Sequence, residues 1–209
     1  MRSGDAERML GLMAQLITEA ELDEVELRVA DGRGHVERAD LLERWATDAA
    51  AYELDDGIRR AHLLLVAAEH LEMAGELERA LAVARRAAEA SDAEPYEATG
   101  TLVSTMLALG RGDDAVAEAD ALRGSGNGDW WRHLHVAEAF ELADELELAE
   151  RWFVITLRII ERDPEHDVAD RLIALSGRFR VRRDAGKPED VLDAETTQLR
   201  ELLGYEPIR

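Results

Sequence analysis

One stretch of the chain decides the fold, and over residues 61–90 it reads AHLLLVAAEHLEMAGELERALAVARRAAEA. Apolar residues recur at helical spacing before the Ala74–Gly75–Glu76 break, as Leu64, Ala68 and Leu71 illustrate, and again after it. Alanine, leucine, arginine and glutamate, all good helix formers, dominate both halves. Glycine suits the left-handed residue that ends a helix. The stretch therefore predicts two helices joined by a tight turn.

The same hairpin recurs along the chain. Four sets of residues repeat with spacings of 35 and then 34: Ala68, Val103 and Ala137; Leu71, Met106 and Phe140; Ala80, Ala115 and Ala149; Ala84, Ala119 and Phe153. Short turns follow at the same interval, at residues 74–76, 110–113 and 143–145. Small residues let two helices approach closely, and a large residue one turn later fills the gap between them. Since one hairpin cannot bury its apolar face alone, the period predicts an all-α stack that reuses its contacts.

These residues resemble the tetratricopeptide repeat family, whose unit is a helical hairpin of 34 residues. The resemblance covers residues 61–164 as three repeats and residues 164–203 as a degenerate fourth pair. The tryptophan position near each repeat start is held by Leu64, Thr99 and His133, and the terminal proline is displaced to Pro95 and Pro164. The resemblance implies a right-handed superhelix of antiparallel helix pairs and leaves the subfamily unassigned.

The whole chain is predicted to form one helical-repeat domain over residues 1–209. Residues 1–55 are expected to be capping helices, residues 56–164 the three repeats, and residues 165–209 the fourth pair with a C-terminal cap. Helices are predicted near residues 5–20, 36–51, 56–73, 77–91, 95–109, 112–123, 129–143, 146–162, 165–184 and 188–203. Pro95, Pro164 and Pro188 are expected at helix starts. Residues 24–30 fit either a strand or a helix, and the helix is preferred.

In the family that this sequence resembles, peptides bind along the concave face made by the first helix of each pair. Carried over to this chain, that face is acidic with apolar islands, and it comprises His62, Leu65, Glu69, Glu72, Met73, Glu97, Ser104, Leu107, Trp131, Leu134, Glu138, Glu141 and Leu142. Glu69 and Glu138 stand where family members that clamp a C-terminal carboxylate use asparagine, so we expect no such clamp. We hypothesise that the face binds a basic or amphipathic segment. The alternative is that these are solvated surface positions, with the leucines and Trp131 turned into helix interfaces.

Composition narrows the class of protein further. The net charge of -21, from 46 acidic and 25 basic residues, repels nucleic acid and anionic membranes and favours a basic partner, although strong acidity also serves solubility. Cysteine is absent, which excludes thiolate chemistry. No apolar run reaches the roughly 20 residues that span a bilayer, and no signal sequence is apparent at the start. We therefore expect a cytoplasmic protein that binds no membrane and no nucleic acid.

Four local clusters contain residues that could bind a metal or another ligand. Trp130–His135 is expected to pack as an aromatic cluster, because His133 and His135 are two residues apart and a helical metal pair needs a spacing of four. The glycine-rich connector at residues 124–128 precedes a helix as a phosphate cradle would, but Asp129 puts a negative charge at its mouth, so a plain loop is preferred. His62 and His70 are expected to be packed or surface residues.

The fourth cluster is basic and comprises Arg178, Arg180, Arg182, Arg183 and Lys187. It suits an acidic partner, a phosphate, a dimer contact or the C-terminal end of a helix dipole. The leading prediction for the whole chain is an interaction module that binds a protein or peptide partner without catalysis, cofactor or metal, and a homodimer is left open. The alternative is a regulatory or sensing domain with a small-molecule pocket near residues 130–140.

Overall fold

A computed structural model describes residues 14–26, 31–162 and 166–206 of the chain, and these residues are overwhelmingly helical. The described helices are α1 Glu19–Glu26, α2 Gly32–Thr47, α3 Arg60–Met73, α4 Leu77–Glu89, α5 Thr99–Ala108, α6 Gly112–Ser125, α7 Trp130–Leu142, α8 Leu146–Ile160, α9 Val168–Asp184 and α10 Val191–Leu202. Two short strands accompany them, β1 Gln15–Ile17 and β2 Tyr52–Leu54. The chain divides into two units, Met1–Ala98 and Thr99–Arg209. The predicted all-α class, built from packed helix pairs, is confirmed for the described residues.

In the first unit, α2 packs against α3 and α3 packs against α4. Helix α4 buries Ala80, Leu81, Val83, Ala84 and Ala87, which lie at helical spacing along one side. Leu63 and Leu71 of α3 are fully buried opposite this surface. The core of this unit is therefore the apolar side of the hairpin at residues 60–89, covered by α2.

The N-terminal part of the first unit differs from the prediction. The helix expected near residues 5–20 is wrong at residues 15–17, which form a parallel pair with residues 52–54 in the register Gln15 to Tyr52 and Ile17 to Leu54. The reason is a capping box that starts α1 after Thr18: the Thr18 N–H donates to the Glu21 carboxylate at 2.9 Å, and the Glu21 N–H returns to the Thr18 hydroxyl at 3.4 Å. A capped start at this point leaves the preceding residues extended. Residues 5–13 of the predicted helix lie outside the described residues.

Other helix boundaries shift by a few residues for local reasons. The helix predicted at 36–51 is α2, which begins after the Asp31 cap and ends at Thr47. Pro95 and Pro188 precede their helices and do not begin them, because Tyr96 adopts a left-handed φ of 65° and Asp190 caps α10 through a capping box. The predicted helical choice for residues 24–30 holds through Glu26, and residues 27–30 lie outside the described part, as does Pro164.

The second unit contains three hairpins, α5 with α6, α7 with α8, and α9 with α10. Helix α5 also packs on α7, and α8 packs on α9. Two glycines permit the close crossings: a Cβ on Gly100 would lie 2.7 Å from the Cβ of His135, and a Cβ on Gly177 would lie 2.2 Å from the ring of Phe153. The core is centred on the fully buried Phe140 and Phe153.

The turns that close three of the hairpins have the same backbone structure. The N–H groups of Glu76, Arg111 and Glu145 donate to the carbonyls of Leu71, Met106 and Phe140, at 2.9, 2.8 and 3.0 Å. Between each donor and acceptor stands one left-handed residue, which is Gly75, Gly110 or Asp144, with φ of 79°, 72° and 60°. This is the Schellman ending of a helix.

All twelve residues of the four repeating sets are buried, and none is more than 5 % exposed. Leu71, Met106 and Phe140 thus share both burial and a position in the turn, as expected for hairpins that reuse one design. The assembly of these hairpins into a superhelix, and the division of residues 1–209 into caps and repeats, stay predictions.

Candidate functional site

The predicted binding residues of the first unit lie mostly along α3. His62, Glu69 and Met73 are exposed, and Leu65 and Glu72 are half-buried. Glu97 differs, because its carboxylate is held by Arg59, with an Nη2 to Oε2 distance of 2.7 Å and a side chain only 10 % exposed. The hydrogen bond that Arg59 donates to Glu97 is the main reason that the pKa of Arg59 is raised. Glu97 therefore holds the loop after α4. Its carboxylate is already paired with Arg59 and is poorly exposed to a partner.

In the second unit, four side chains of α7 form one line along the helix, which we call the α7 stripe: Trp131, His135, Glu138 and Leu142. Their spacing of four, three and four residues keeps them on one side of the helix. Trp131 is 47 % exposed at one end, Leu142 is 85 % exposed at the other, and His135 and Glu138 are half-buried between them. The rings of Trp131 and His135 contact edge to face at 4.7 Å. The stripe therefore combines exposed apolar ends with a polar centre.

The remaining predicted residues of this unit divide between the surface and the core. Ser104 and Leu107 of α5 are half-buried, whereas Leu134 is 1 % exposed and belongs to the core. A partner could reach Leu134 only if the helices separated. His135 is missing from the predicted face, although its spacing from Trp131 and Glu138 would have placed it there. Whether any of these residues bind a partner stays a prediction.

Helices on both sides hold the α7 stripe in place. Gly100 lets α5 pack closely against His135, since a Cβ at residue 100 would lie only 2.7 Å from the Cβ of His135. On α9, Arg180 holds Glu141 through two parallel hydrogen bonds, Nε to Oε1 at 2.8 Å and Nη2 to Oε2 at 2.9 Å. This fork-to-fork geometry is the strong form of an arginine–carboxylate pair. The stripe thus lies between α5 and α9 on a rigid base.

The charge at the centre of the stripe is incompletely compensated. Burial raises the pKa of the Glu138 carboxyl, an effect that Arg180 opposes and Glu141 reinforces. One guanidinium therefore serves two carboxylates, and its hydrogen bonds go to Glu141. A cation brought to Glu138 from outside would supply the missing charge.

The aromatic cluster packs as its sequence predicted. The rings of Trp130 and Trp131 meet edge to face at 5.4 Å, and His133 lies 5.8 Å from Trp152 in the core. The Nδ1–H of His133 donates to the Asp129 carbonyl at 2.9 Å, and burial lowers the pKa of this imidazole. Within the described ranges no group of three or more histidine, aspartate or glutamate side chains is arranged to hold a metal ion.

The basic cluster is neutralised within the second unit. Arg178, only 5 % exposed, donates to Asp193 at 2.9 Å and also to Asp190. Arg182 joins it by donating to Glu150 at 2.7 Å and to Asp193 at 3.0 Å. The hydrogen bond from Arg178 is the largest cause that lowers the pKa of Asp190 to about 2. This network ties α10 to α8 and α9, a structural role that the sequence did not reveal.

Two further members of the basic cluster are also paired. Lys187 contacts Glu150 at 2.6 Å, and Arg183 contacts Asp184 at 3.1 Å. Together with the bond between Arg180 and Glu141, these contacts give every cation of the cluster a carboxylate. The cluster is therefore unsuited to capture an external anion.

The first unit contains a close pair of histidines. The Nδ1 atoms of His35 on α2 and His70 on α3 are 3.0 Å apart, so one ring must donate while the other accepts. His70 is 6 % exposed, and its Nε2 is buried without a hydrogen-bond partner in the described part of the chain. Burial, and secondly the charges of His35 and Arg38, lower the pKa of His70. His62, by contrast, is exposed on α3.

None of the helices in the described ranges combines the length and the apolar character that crossing a lipid bilayer demands. Comparison with protein-family models, curated proteins and solved structures finds no match for this chain.

Proposed function

We propose that the protein is an interaction module of tetratricopeptide-like helical hairpins, and that the α7 stripe binds a basic amphipathic segment of a partner protein. The observation that carries this proposal is the exposure of Trp131 and Leu142 at the two ends of one stripe with the Glu138 carboxylate between them. Exposed aromatic residues on a rigid base are the usual anchors of protein interfaces. A role without catalysis, in the cytoplasm, belongs to the same proposal.

The dimensions of the stripe suit a short peptide. Leu142 follows Trp131 by eleven positions, which at 1.5 Å per residue is roughly 16 Å along the helix axis. About three turns of a partner helix, or about five extended residues, cover this length. A partner with two apolar side chains at its ends and a cation between them would match the stripe.

The charge of the protein favours the same partner. A net charge of -21 attracts a cationic segment over long range and raises the rate at which it arrives. At the stripe itself, the partner's cation would approach Glu138, which shares Arg180 with Glu141. The repeated Schellman turns further support the proposal, because they give the first helices of successive hairpins one common design.

The test is binding of a fluorescently labelled 12-residue peptide with lysine and leucine at helical spacing, measured by anisotropy. We expect Trp131→Ala/Leu142→Ala to weaken binding at least about 20-fold, since a buried tryptophan anchor contributes about 2 kcal/mol or more. The control is Val191→Ala/Leu202→Ala, which truncates two apolar side chains of α10 that are 82 % and 77 % exposed. Equal losses from both double variants, or no binding of the peptide to the wild type at millimolar concentration, would refute the proposal.

A separate variant tests the electrostatic part of the proposal. Glu138→Gln should weaken the lysine peptide and flatten the dependence of its affinity on salt, because one carboxylate no longer contributes to the attraction. A matched peptide with glutamate in place of lysine should bind far more weakly to the wild type. If the acidic and basic peptides bind equally, the stripe is an apolar contact and the charge argument is wrong.

A further inference from the structure

The second unit contains a cavity of about 440 Å³ where the end of α6, the following loop and the last turns of α8 meet. Three arginines line it: Arg123 near the end of α6, Arg158 on α8 and Arg162 just after α8. Among the described residues that line it there is no aspartate and no glutamate. Its volume is in the range of small-molecule sites. The charged residues described in this lining are thus all arginines, in a chain of net charge -21.

One of the three arginines has a carboxylate partner, and the other two have none among the described residues. Arg123 contacts Asp120 at 3.0 Å, and Glu161, which adjoins Arg162 in the chain, is held by Arg171 at 2.9 Å. Across residues 14–26, 31–162 and 166–206, no carboxylate lies within 4.0 Å of the guanidinium groups of Arg158 or Arg162. Like charges that converge on one cavity repel each other, and a bound anion removes that repulsion.

The loop at the rim offers space and no opposing charge. Gly126, in the left-handed region with φ of 72°, and Gly128 both line the cavity, and a Cβ added to either would meet no atom within 4 Å. Asp129, whose charge argued against an anion site in the sequence, is occupied: one carboxylate oxygen accepts the Trp131 N–H, and the other contacts Arg132 at 2.6 Å. The sequence objection to an anion here is therefore removed by the structure.

Part of the cavity wall is apolar. Ile155 and Ile159 of α8 line it beside the arginines. His133 also lines it, and this residue is only 2 % exposed. The guanidinium fork matches the oxygens of phosphate and carboxylate groups. Three cations are better balanced by a phosphate monoester, which carries a charge of about -1.5 to -2 at neutral pH, than by a single carboxylate.

We propose that this cavity binds a small organic phosphate, with its phosphoryl group on Arg123, Arg158 and Arg162 and its apolar or planar part against Ile155, Ile159 and His133. The site is separate from the peptide-binding role proposed for the α7 stripe. It would make the second unit responsive to a phosphorylated small molecule.

Isothermal titration calorimetry with adenosine monophosphate, pyrophosphate and benzoate as probes tests the proposal. We expect adenosine monophosphate to bind more tightly than either of the other two, because it alone offers both a phosphate and a planar apolar part. Arg158→Glu/Arg162→Glu should weaken it at least 30-fold, while Arg158→Lys/Arg162→Lys should retain part of the affinity. The lysine pair also keeps the test usable if the charge reversal unfolds the unit, which circular dichroism would reveal.

A control variant changes the net charge by the same amount as Arg158→Glu/Arg162→Glu. Arg85→Glu/Arg151→Glu alters two exposed arginines outside the cavity, Arg151 being on α8 itself, and should change the affinity less than about twofold. The ring-proton signals of His133 should shift on binding in the wild type. Equal weakening by both reversals, pyrophosphate binding as tightly as adenosine monophosphate, or no heat at millimolar probe would overturn the proposal. Retained lysine–leucine peptide binding by the Arg158→Glu/Arg162→Glu variant would show that the two sites are independent.

Discussion

Replacing Gly177 by alanine is expected to destabilise the second unit, because α9 crosses α8 at this point. A Cβ on Gly177 would lie 2.2 Å from Cε1, 2.3 Å from Cζ and 2.9 Å from Cδ1 of Phe153. Carbon atoms in contact are normally about 3.5 to 4.0 Å apart. The ring or the helix must therefore move by more than about 1 Å to admit one methyl group.

Two opposing contributions set the magnitude. Phe153 is fully buried, so its ring cannot rotate into solvent, and overpacking of this kind costs up to about 3 kcal/mol. Alanine is preferred over glycine within a helix by about 1 kcal/mol, which offsets part of the loss. We expect Gly177→Ala to lower the free energy of unfolding by about 2 kcal/mol.

Urea unfolding, followed by tryptophan fluorescence and far-ultraviolet circular dichroism, measures this change. Gly112→Ala is the matched control, since a Cβ at this first residue of α6 meets nothing within 4 Å and should leave stability equal or slightly higher. Phe153→Leu/Gly177→Ala should cost less than the sum of its single substitutions, because the smaller side chain makes room. An unfolding midpoint for Gly177→Ala at or above that of the wild type would refute the packing argument.

Three further predictions use local features of the two units. Asp144→Gly should raise stability by about 1 kcal/mol in the same urea assay, because the residue has a φ of 60° that glycine adopts without strain. Arg178→Ala should cost about 3 kcal/mol by removing one of the two arginines that pair with the buried Asp193, and a double variant that also replaces Asp193 should cost less than the sum. His70 has a folded pKa below its ordinary 6.5, so the unfolded state takes up protons first on acidification. The first unit should therefore lose stability as the pH falls below about 6.5, and His70→Phe, measured by thermal unfolding at pH 5 and 7, should reduce that loss.

Sequence reasoning succeeded where structure depends on neighbours along the chain. The helical spacing of Leu64, Ala68 and Leu71 and the glycine at residue 75 lie within one hairpin, and both the helices and the turn are observed. The third turn was also predicted correctly although it lacks glycine, because Asp144 adopts the left-handed conformation in its place. Local signals that repeat at a fixed interval reinforce one another, which is why the nine helices α2 to α10 could be placed within a few residues.

The features that were missed need contacts between distant residues. The pairing of residues 15–17 with residues 52–54 crosses more than thirty positions, and only the local capping box at Thr18 hinted that a helix starts late. The sequence left several roles open for the arginines of α9, because their partners, Glu141, Glu150 and Asp193, lie on other helices. Leu134 was placed on the predicted binding face, with burial in a helix interface as the alternative, because helical spacing alone does not fix which side of a helix faces a neighbour; it is buried.

The cavity lined by arginines is also formed by residues that are distant in the sequence. Every cation of the basic cluster has a carboxylate partner, but other arginines, such as the exposed Arg85 and Arg151, have none in the described part of the chain. At the cavity, Asp120 engages Arg123 and Arg171 engages Glu161, yet the described residues provide no carboxylate for Arg158 or Arg162. What distinguishes Arg158 and Arg162 from other arginines without a carboxylate partner is that they line one cavity together with Arg123. They point to an anion that the chain does not itself supply.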